Sequence, residues 1–199
     1  VPVTPAAGRS GVVGGSVPAF GGVLLDLTAL QGIVHVDKQS GLVEVLPGTF
    51  GPDLEAELRT QHGLTVGHFP QSFELATVGG WVACRGAGQY STRYGKIEDM
   101  VAGLEVALPD GSLVRTGGFP ASAQGPDLTQ LFLGSEGTLG VITKVRVQLQ
   151  PTWTGTTTAM LGVDTYADAI AMMQRIIESG ARIKAAEVFD WFGVELASR

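Results

Sequence analysis

The chain has 199 residues, 44% hydrophobic and 16% charged, which places it among globular rather than disordered sequences and allows one or two packed domains. A net charge of -6 without any basic run excludes a non-specific nucleic-acid surface. A single cysteine, Cys84, excludes an intrachain disulfide and a cysteine-rich metal site, and fits a reducing compartment.

Val1, Val3 and Thr4 read as a short buried strand that runs into a loop over residues 5–15, PAAGRSGVVGG. A glycine-rich loop after a strand can present consecutive N–H groups to an anion. The uncharged run over residues 10–25 is broken by glycines and a proline, so it does not read as a membrane span of ~20 apolar residues. The first residues lack the basic start and apolar run of a signal peptide. Residues 22–27, GVLLDL, read as a second buried strand, and Leu30 starts a connector. Residues 33–37 and 42–46 alternate around Lys38-Gln39-Ser40-Gly41, a hairpin pattern. Residues 52–62 read as a helix with Leu54 and Leu58 on one face and Gly63 as its stop; Glu55, Glu57 and Arg59 read as its solvated side.

Residues 67–99, GHFPQSFELATVGGWVACRGAGQYSTRYGKIED, hold the densest pattern in the chain. An extended segment at His68, Phe69 and Pro70 leads to Thr77 as a helix N-cap, with Val78, Gly79 and Gly80 as the first turn. Each glycine there costs roughly 1 kcal/mol of helix stability relative to alanine. In return they admit a ligand close to the unpaired N–H groups of the helix start. The pattern reads as a phosphate cradle; on spacing alone it is equally a glycine-rich turn between a helix and a strand. Trp81 reads as core, Cys84 falls inside the helix, and Arg85 reaches either a phosphate or a carboxylate.

Residues 100–108 and 113–116 read as a hairpin closed by Pro109-Asp110-Gly111. A small-residue loop over 117–125 precedes a short helix over 126–132. Then GSEGTLGVIT, residues 134–143, packs three glycines into seven residues, which demands unusual backbone angles or close approach. From Val141 the odd-numbered residues to Leu149 form one apolar face of a half-exposed strand ended by Pro151. A strand over 156–163, a helix over 165–179 capped by Asp164 with a Met-rich core stripe, and a strand over 185–189 complete the pattern. His35 and His62 read as structural and His68 borders the cradle; no metal-ligand spacing, nucleophile elbow or phosphate-transfer P-loop is present.

The segments PQSFELATVGGWVACRGAGQYSTRYGKIEDMV and GPDLTQLFLGSEGTLGVIT, in that order, resemble the FAD-binding core of the PCMH-type flavoproteins of the vanillyl-alcohol oxidase superfamily. Within it the alkylglycerone-phosphate synthase family (alkyl-dihydroxyacetonephosphate synthase) is most similar. The resemblance implies an α+β, two-lobed FAD-binding domain over residues 1–151, its first strand and helix missing, and the beginning of a truncated substrate or cap domain over 152–199. One lobe would carry the early strands and the helix at Pro52. The other would carry the antiparallel strands over 100–150, with FAD between them.

The resemblance also implies three cofactor-binding groups. Pro5, Ala6, Ala7, Gly8, Arg9, Ser10 and Gly11 would lie against the pyrophosphate. Ala7 and Arg9 depart from the usual three glycines, and Arg9 would either pair with a phosphate or crowd the flavin. The central group is Pro70, Gln71, Ser72, Phe73, Glu74, Leu75, Ala76, Thr77, Gly79 and Gly80, followed by Cys84, Arg85, Gly86 and Ala87. Cys84 is expected to be a small buried residue under the ligand. Glu136, Gly137, Thr138, Leu139, Gly140, Val141 and Ile142 would follow the adenosine and pyrophosphate side. No histidine stands in the first loop, which implies non-covalent FAD.

The implied activity is that of a flavoenzyme, exchanging acyl for fatty alcohol on acyl-dihydroxyacetone phosphate in ether lipid synthesis. The alternatives are an FAD-linked oxidase or dehydrogenase of a 2-hydroxy acid such as D-lactate or glycolate, and a non-catalytic nucleotide-binding module. No catalytic residue is assigned, since those that steer the chemistry would lie outside this chain. The implied partner is a small-molecule or lipid substrate, with no nucleic acid, no membrane anchor in this segment, and a homodimer compatible with the full-length protein. The implied location is cytoplasmic or peripheral to a membrane.

Overall fold

Short hydrophobic segments pair into a five-stranded sheet and two two-stranded ones, and the loops between them build the walls of a cleft. The computed structural model describes residues 1–118, 123 and 125–189. Strands β1 (Val3–Ala6) and β2 (Val23–Asp26) pair in parallel, Val3 with Val23 through Ala6 with Asp26. Both were expected to be buried. Instead Val3 and Val23 are about half exposed and Ala6 alone is buried, because a two-stranded sheet has too little surface to cover its own side chains.

Strands β3 (Ile33–Asp37) and β4 (Leu42–Val45) form the expected antiparallel hairpin. Helix α1 (Gly51–Glu57) continues into a π-helical turn, Leu58–His62, that stops at Gly63 in the left-handed conformation. The short strand β5 (Leu64–Thr65) follows. Leu54 and Leu58 are buried as the spacing predicts, but Glu55 is buried too, which corrects its expected solvated position. Its carboxylate accepts hydrogen bonds from Thr65 Oγ1 at 2.7 Å, Val66 N at 2.9 Å and Arg59 Nε at 2.8 Å. Those three donors satisfy a charge that burial would otherwise penalise.

Helices α2 (Val78–Ala83), α3 (Ser91–Tyr94) and α4 (Ile97–Met100) lead into β6 (Val101–Ala107), which pairs with β7 (Leu113–Gly117). Helix α5 (Leu128–Phe132) is capped by Asp127, which accepts from Thr129 N. Strand β8 (Val141–Gln148) then enters the middle of a five-stranded sheet ordered β3-β4-β8-β6-β7. Val43, Val45, Val106, Val145 and Val147 are fully buried on the face covered by α1 and α2, each worth about 1.5–3 kcal/mol of burial.

The early hairpin therefore shares a sheet with the later strands, and the division into lobes differs from expectation: the β1–β2 pair alone of the early strands forms a sheet separate from the five-stranded one. The expected alternation in β8 also slips. A register shift between Glu105 and Val106 turns Ile142 inward and leaves Thr143 to donate to Glu105.

After β9 (Gln150–Pro151) residues 156–163 and 185–189, expected as strands, pair with no strand among the described residues. Helix α6 (Tyr166–Glu178) does form, with Thr165 rather than Asp164 as its cap. Its apolar stripe is not core: Ile170 and Ile177 are exposed and Ala169 is its buried residue. Most of the expected loop over 117–125, and residues 190–199 of the expected second domain, lie outside the described residues. Among the described residues no helix is long and apolar enough to cross a membrane.

Candidate functional site

Three loops, far apart in sequence, enclose one cleft of about 250 Å³ that is open along one side. The first leaves the end of β1. Here the N–H groups of Ala7, Gly8, Arg9, Ser10 and Gly11 find no acceptor among the described residues. Consecutive amides without an internal partner are suited to an anion. Arg9 holds φ at 54°, left-handed backbone that favours the glycine expected there. Its guanidinium settles neither expected alternative: it pairs with Asp26 at 2.8 Å. Hydrogen bonds from Thr28, and then that guanidinium, hold the Asp26 carboxyl below its ordinary pKa.

The second wall runs from the turn at Pro70 to the start of α2. Hydrogen bonds from Phe73 N to Pro70 O and from Ala76 N to Ser72 O fold this turn so that Leu75 and Ala76 press on Gly8. The expected row of open amides at the α2 start needs correction. Val78 N donates to Thr49 O at 2.9 Å and Gly79 N to Pro47 O at 2.8 Å, because the connection from β4 to α1 packs there; Gly80 N alone of the three lacks an acceptor among the described residues. Gly79 is required by packing, since a Cβ would lie 2.6 Å from that of Pro47. Thr77 precedes the helix but its side chain caps nothing.

The third loop is strapped to α2 by Gly134 N to Val82 O and Glu136 N to Ala83 O. Gly137 turns back with φ at 81°, and a Cβ on it would lie 2.7 Å from Pro5 Cγ. The first and third walls thus touch. Arg9, Arg85 and Glu136 are the non-glycine residues with positive φ among those described; two line the cleft and the third lies between Cys84 and Gly86, which do. Backbone strain of about 1–3 kcal/mol at each such position gathers where a ligand is gripped.

The floor is polar but unsatisfied. His68 is 1% exposed and packs edge-on against Trp81 with ring centroids 4.9 Å apart. Both ring nitrogens of His68, Thr77 Oγ1 and Trp81 Nε1 are buried without a hydrogen-bond partner among the described residues. Burial lowers the His68 pKa to about 4, so the imidazole is neutral at pH 7. Each unmade hydrogen bond costs about 1–3 kcal/mol, so such a floor fits a polar ligand. Arg9 and Glu136 are the charged residues of the lining, and the site is therefore built for aimed amides rather than a basic surface. Open rim amides over an unpartnered polar floor fit a dinucleotide with a diphosphate and polar rings.

Most of the residues expected at the cofactor line this cleft: Pro5 through Gly11, then Pro70, Ser72, Ala76, Thr77, Gly79, Gly80, Cys84 and Gly86, and Glu136, Gly137, Gly140, Val141 and Ile142. Gln71, Phe73, Glu74, Leu75, Arg85, Ala87, Thr138 and Leu139 lie outside the lining. Phe73 instead stacks on Trp81, and Leu75 and Leu139 are exposed. Arg85 takes the carboxylate alternative, donating to Glu98 and, at 3.1 Å, to Gln130. Cys84 is the C-cap of α2 and exposed to the cleft, not buried within the helix. Partial enclosure and the Glu136 carboxylate push its thiol pKa up, away from a reactive thiolate.

Val13, Gly15, Ser16, Leu27, Pro47, His68, Trp81 and Ala83 complete the lining. Leu27 and Pro47 follow the ends of β2 and β4, and the tendency of ligands to sit beyond the carboxyl ends of strands was the available signal for them.

A family model described as an FAD binding domain matches residues 1–117. The chain is 37% identical to the alkyldihydroxyacetonephosphate synthase of Caenorhabditis elegans over 65% of its own length and 21% of that protein's. It is 35% identical to a D-lactate dehydrogenase of Anaerostipes hadrus over 86% of its length and 36% of the relative's. A solved alkyldihydroxyacetonephosphate synthase structure superposes with a TM-score of 0.74 at 29% identity, covering 89% of this chain and 32% of that one. The chain thus spans between about a fifth and about a third of the length of these three proteins.

Proposed function

The chain belongs to the FAD binding domain family, and from that premise we propose that it is the cofactor-binding part of an alkylglycerone-phosphate synthase-like enzyme. Such an enzyme exchanges the acyl group of acyl-dihydroxyacetone phosphate for a fatty alcohol in ether lipid synthesis. The observation that carries the flavin reading is the meeting of the loops at Gly8, Gly80 and Gly137 around one cleft with open amides and an unsatisfied polar floor. Its likeness in sequence and in fold to alkyldihydroxyacetonephosphate synthases supports the choice of reaction.

When bound, the flavin supplies redox and electrophilic chemistry that side chains lack. The residues of this chain hold and enclose it. The amides of residues 7–11 and of Gly80 would take the diphosphate, and the loop at Gly137 would close the third side. The absence of a histidine from the first loop and the raised pKa of Cys84 both favour a non-covalent cofactor. Residues 1–151 would form the cofactor domain, and residues 152–199 would begin a substrate domain. The exposed Ile170 and Ile177 of α6 support the second part, as an apolar stripe left for further chain to cover.

The D-lactate dehydrogenase relative favours a second reading, an FAD-linked oxidase or dehydrogenase of a 2-hydroxy acid. The test is anaerobic incubation of the FAD-loaded full-length protein with acyl-dihydroxyacetone phosphate and a fatty alcohol. The first reading predicts an ether lipid and a released fatty acid. Bleaching of the flavin by D-lactate or glycolate, with no ether formed, would replace it by the second, and a full-length protein that ignores added FAD would refute both.

A further inference from the structure

We propose that His68 is the polar anchor of the cleft floor, a neutral imidazole that hydrogen-bonds an uncharged polar edge of the bound cofactor while the rim amides hold the diphosphate. The inference deepens the flavin reading above and rests on it. A neutral imidazole always carries one donor and one acceptor. At His68 neither is used, although the residue is 1% exposed and lines the cleft. Gly86, itself part of the lining, lies beside Nε2, where a Cβ would stand 3.8 Å away. Thr77 Oγ1 and Trp81 Nε1 share the same condition, and together they make a floor of donors and acceptors with no internal use.

The character of the ligand group follows from the surroundings. Burial opposes an imidazolium, which would be the natural partner of a phosphate. The anion-suited groups are instead the loop amides of residues 7–11. A ring edge bearing C=O and N–H groups, as on the flavin or the adenine, matches a neutral imidazole.

The test is fluorescence titration of FAD, ADP and inorganic pyrophosphate against the full-length wild-type protein and its His68→Leu and His68→Gln variants, with thermal unfolding of each flavin-free protein. Removal of unsatisfied polar atoms should leave the flavin-free His68→Leu protein as stable as wild type or more so. Its FAD affinity should fall about tenfold or more, His68→Gln should recover most of that loss, and pyrophosphate binding should not change. A loss for FAD but not ADP would place His68 under the flavin end, and a loss for both would place it under the adenine; either supports the proposal. FAD affinity within about twofold of wild type in His68→Leu would overturn it. So would a flavin-free variant that unfolds below wild type or fails to fold, since His68 would then serve the fold, and so would an equal loss for pyrophosphate. A wild-type protein that binds no FAD would instead overturn the flavin reading itself.

Discussion

The carbonyl oxygen of Leu75 lies 2.1 Å from the point where a Cβ on Gly8 would stand, so two walls of the cleft meet backbone to backbone. Gly8→Ala must push them apart. Overpacking of this kind costs about 1–3 kcal/mol, and the displaced amides of residues 7–11 should lower FAD affinity by about tenfold or more. Gly155→Ala meets nothing within 4 Å, lies outside the lining and serves as the control expected to match wild type. Flavin titration and thermal denaturation of the two variants check the contrast; equal affinities would remove the close approach from the account.

Glu55 stabilises the fold from outside the cleft. Replacing it with alanine strands Thr65 Oγ1, Val66 N and Arg59, and should cost about 3 kcal/mol of unfolding free energy. Denaturant unfolding should register this loss, while FAD affinity stays within about twofold of wild type because Glu55 is not part of the lining.

His68 makes stability depend on pH. Its folded pKa of about 4 lies below the ordinary value of 6.5, so as pH falls the unfolded chain takes up the proton first. The stability of the neutral form is fully present above about pH 6.5 and is lost towards pH 4. Between pH 7 and pH 4.5 wild type should lose roughly 2 to 3 kcal/mol more than His68→Leu, measured by denaturant unfolding of the flavin-free proteins. Parallel pH profiles for the two would contradict the burial of a neutral imidazole.

Cys84 reports on the cleft. The Glu136 carboxylate is one of the causes that raise its thiol pKa, so Glu136→Gln should increase the thiolate fraction and speed alkylation by iodoacetamide at pH 8. FAD should slow the reaction in wild type and variant alike. Unaltered rates on adding FAD would place the cofactor elsewhere.

Much of the sheet was legible because its strands alternate and their turns carry Gly41 and Asp110-Gly111, whose geometry forces reversal. The glycines of the cleft were legible for a related reason, since close contact with the Leu75 backbone at Gly8 and with the Pro5 ring at Gly137 admits no side chain. Other features depended on parts of the chain that meet only after folding. Glu55 lies on the edge of the helix face set by Leu54 and Leu58, and only the return of Thr65 and Val66 draws it inside. The bulge that turns Ile142 inward depends on its pairing with β6, and the pairing of the α2 amides depends on Pro47 and Thr49. Residues 156–163 have a strand's composition, but strand formation also needs a pairing partner, and they pair with no strand among the described residues.

The central claim is that the loops at Gly8, Gly80 and Gly137 form one FAD site, and an experimental structure of the full-length protein with FAD tests it most directly. The account predicts the diphosphate within hydrogen-bond reach of the amides of residues 7–11, with a cofactor ring over His68. FAD bound away from this cleft, or a cleft that stays empty at saturating FAD, would contradict it.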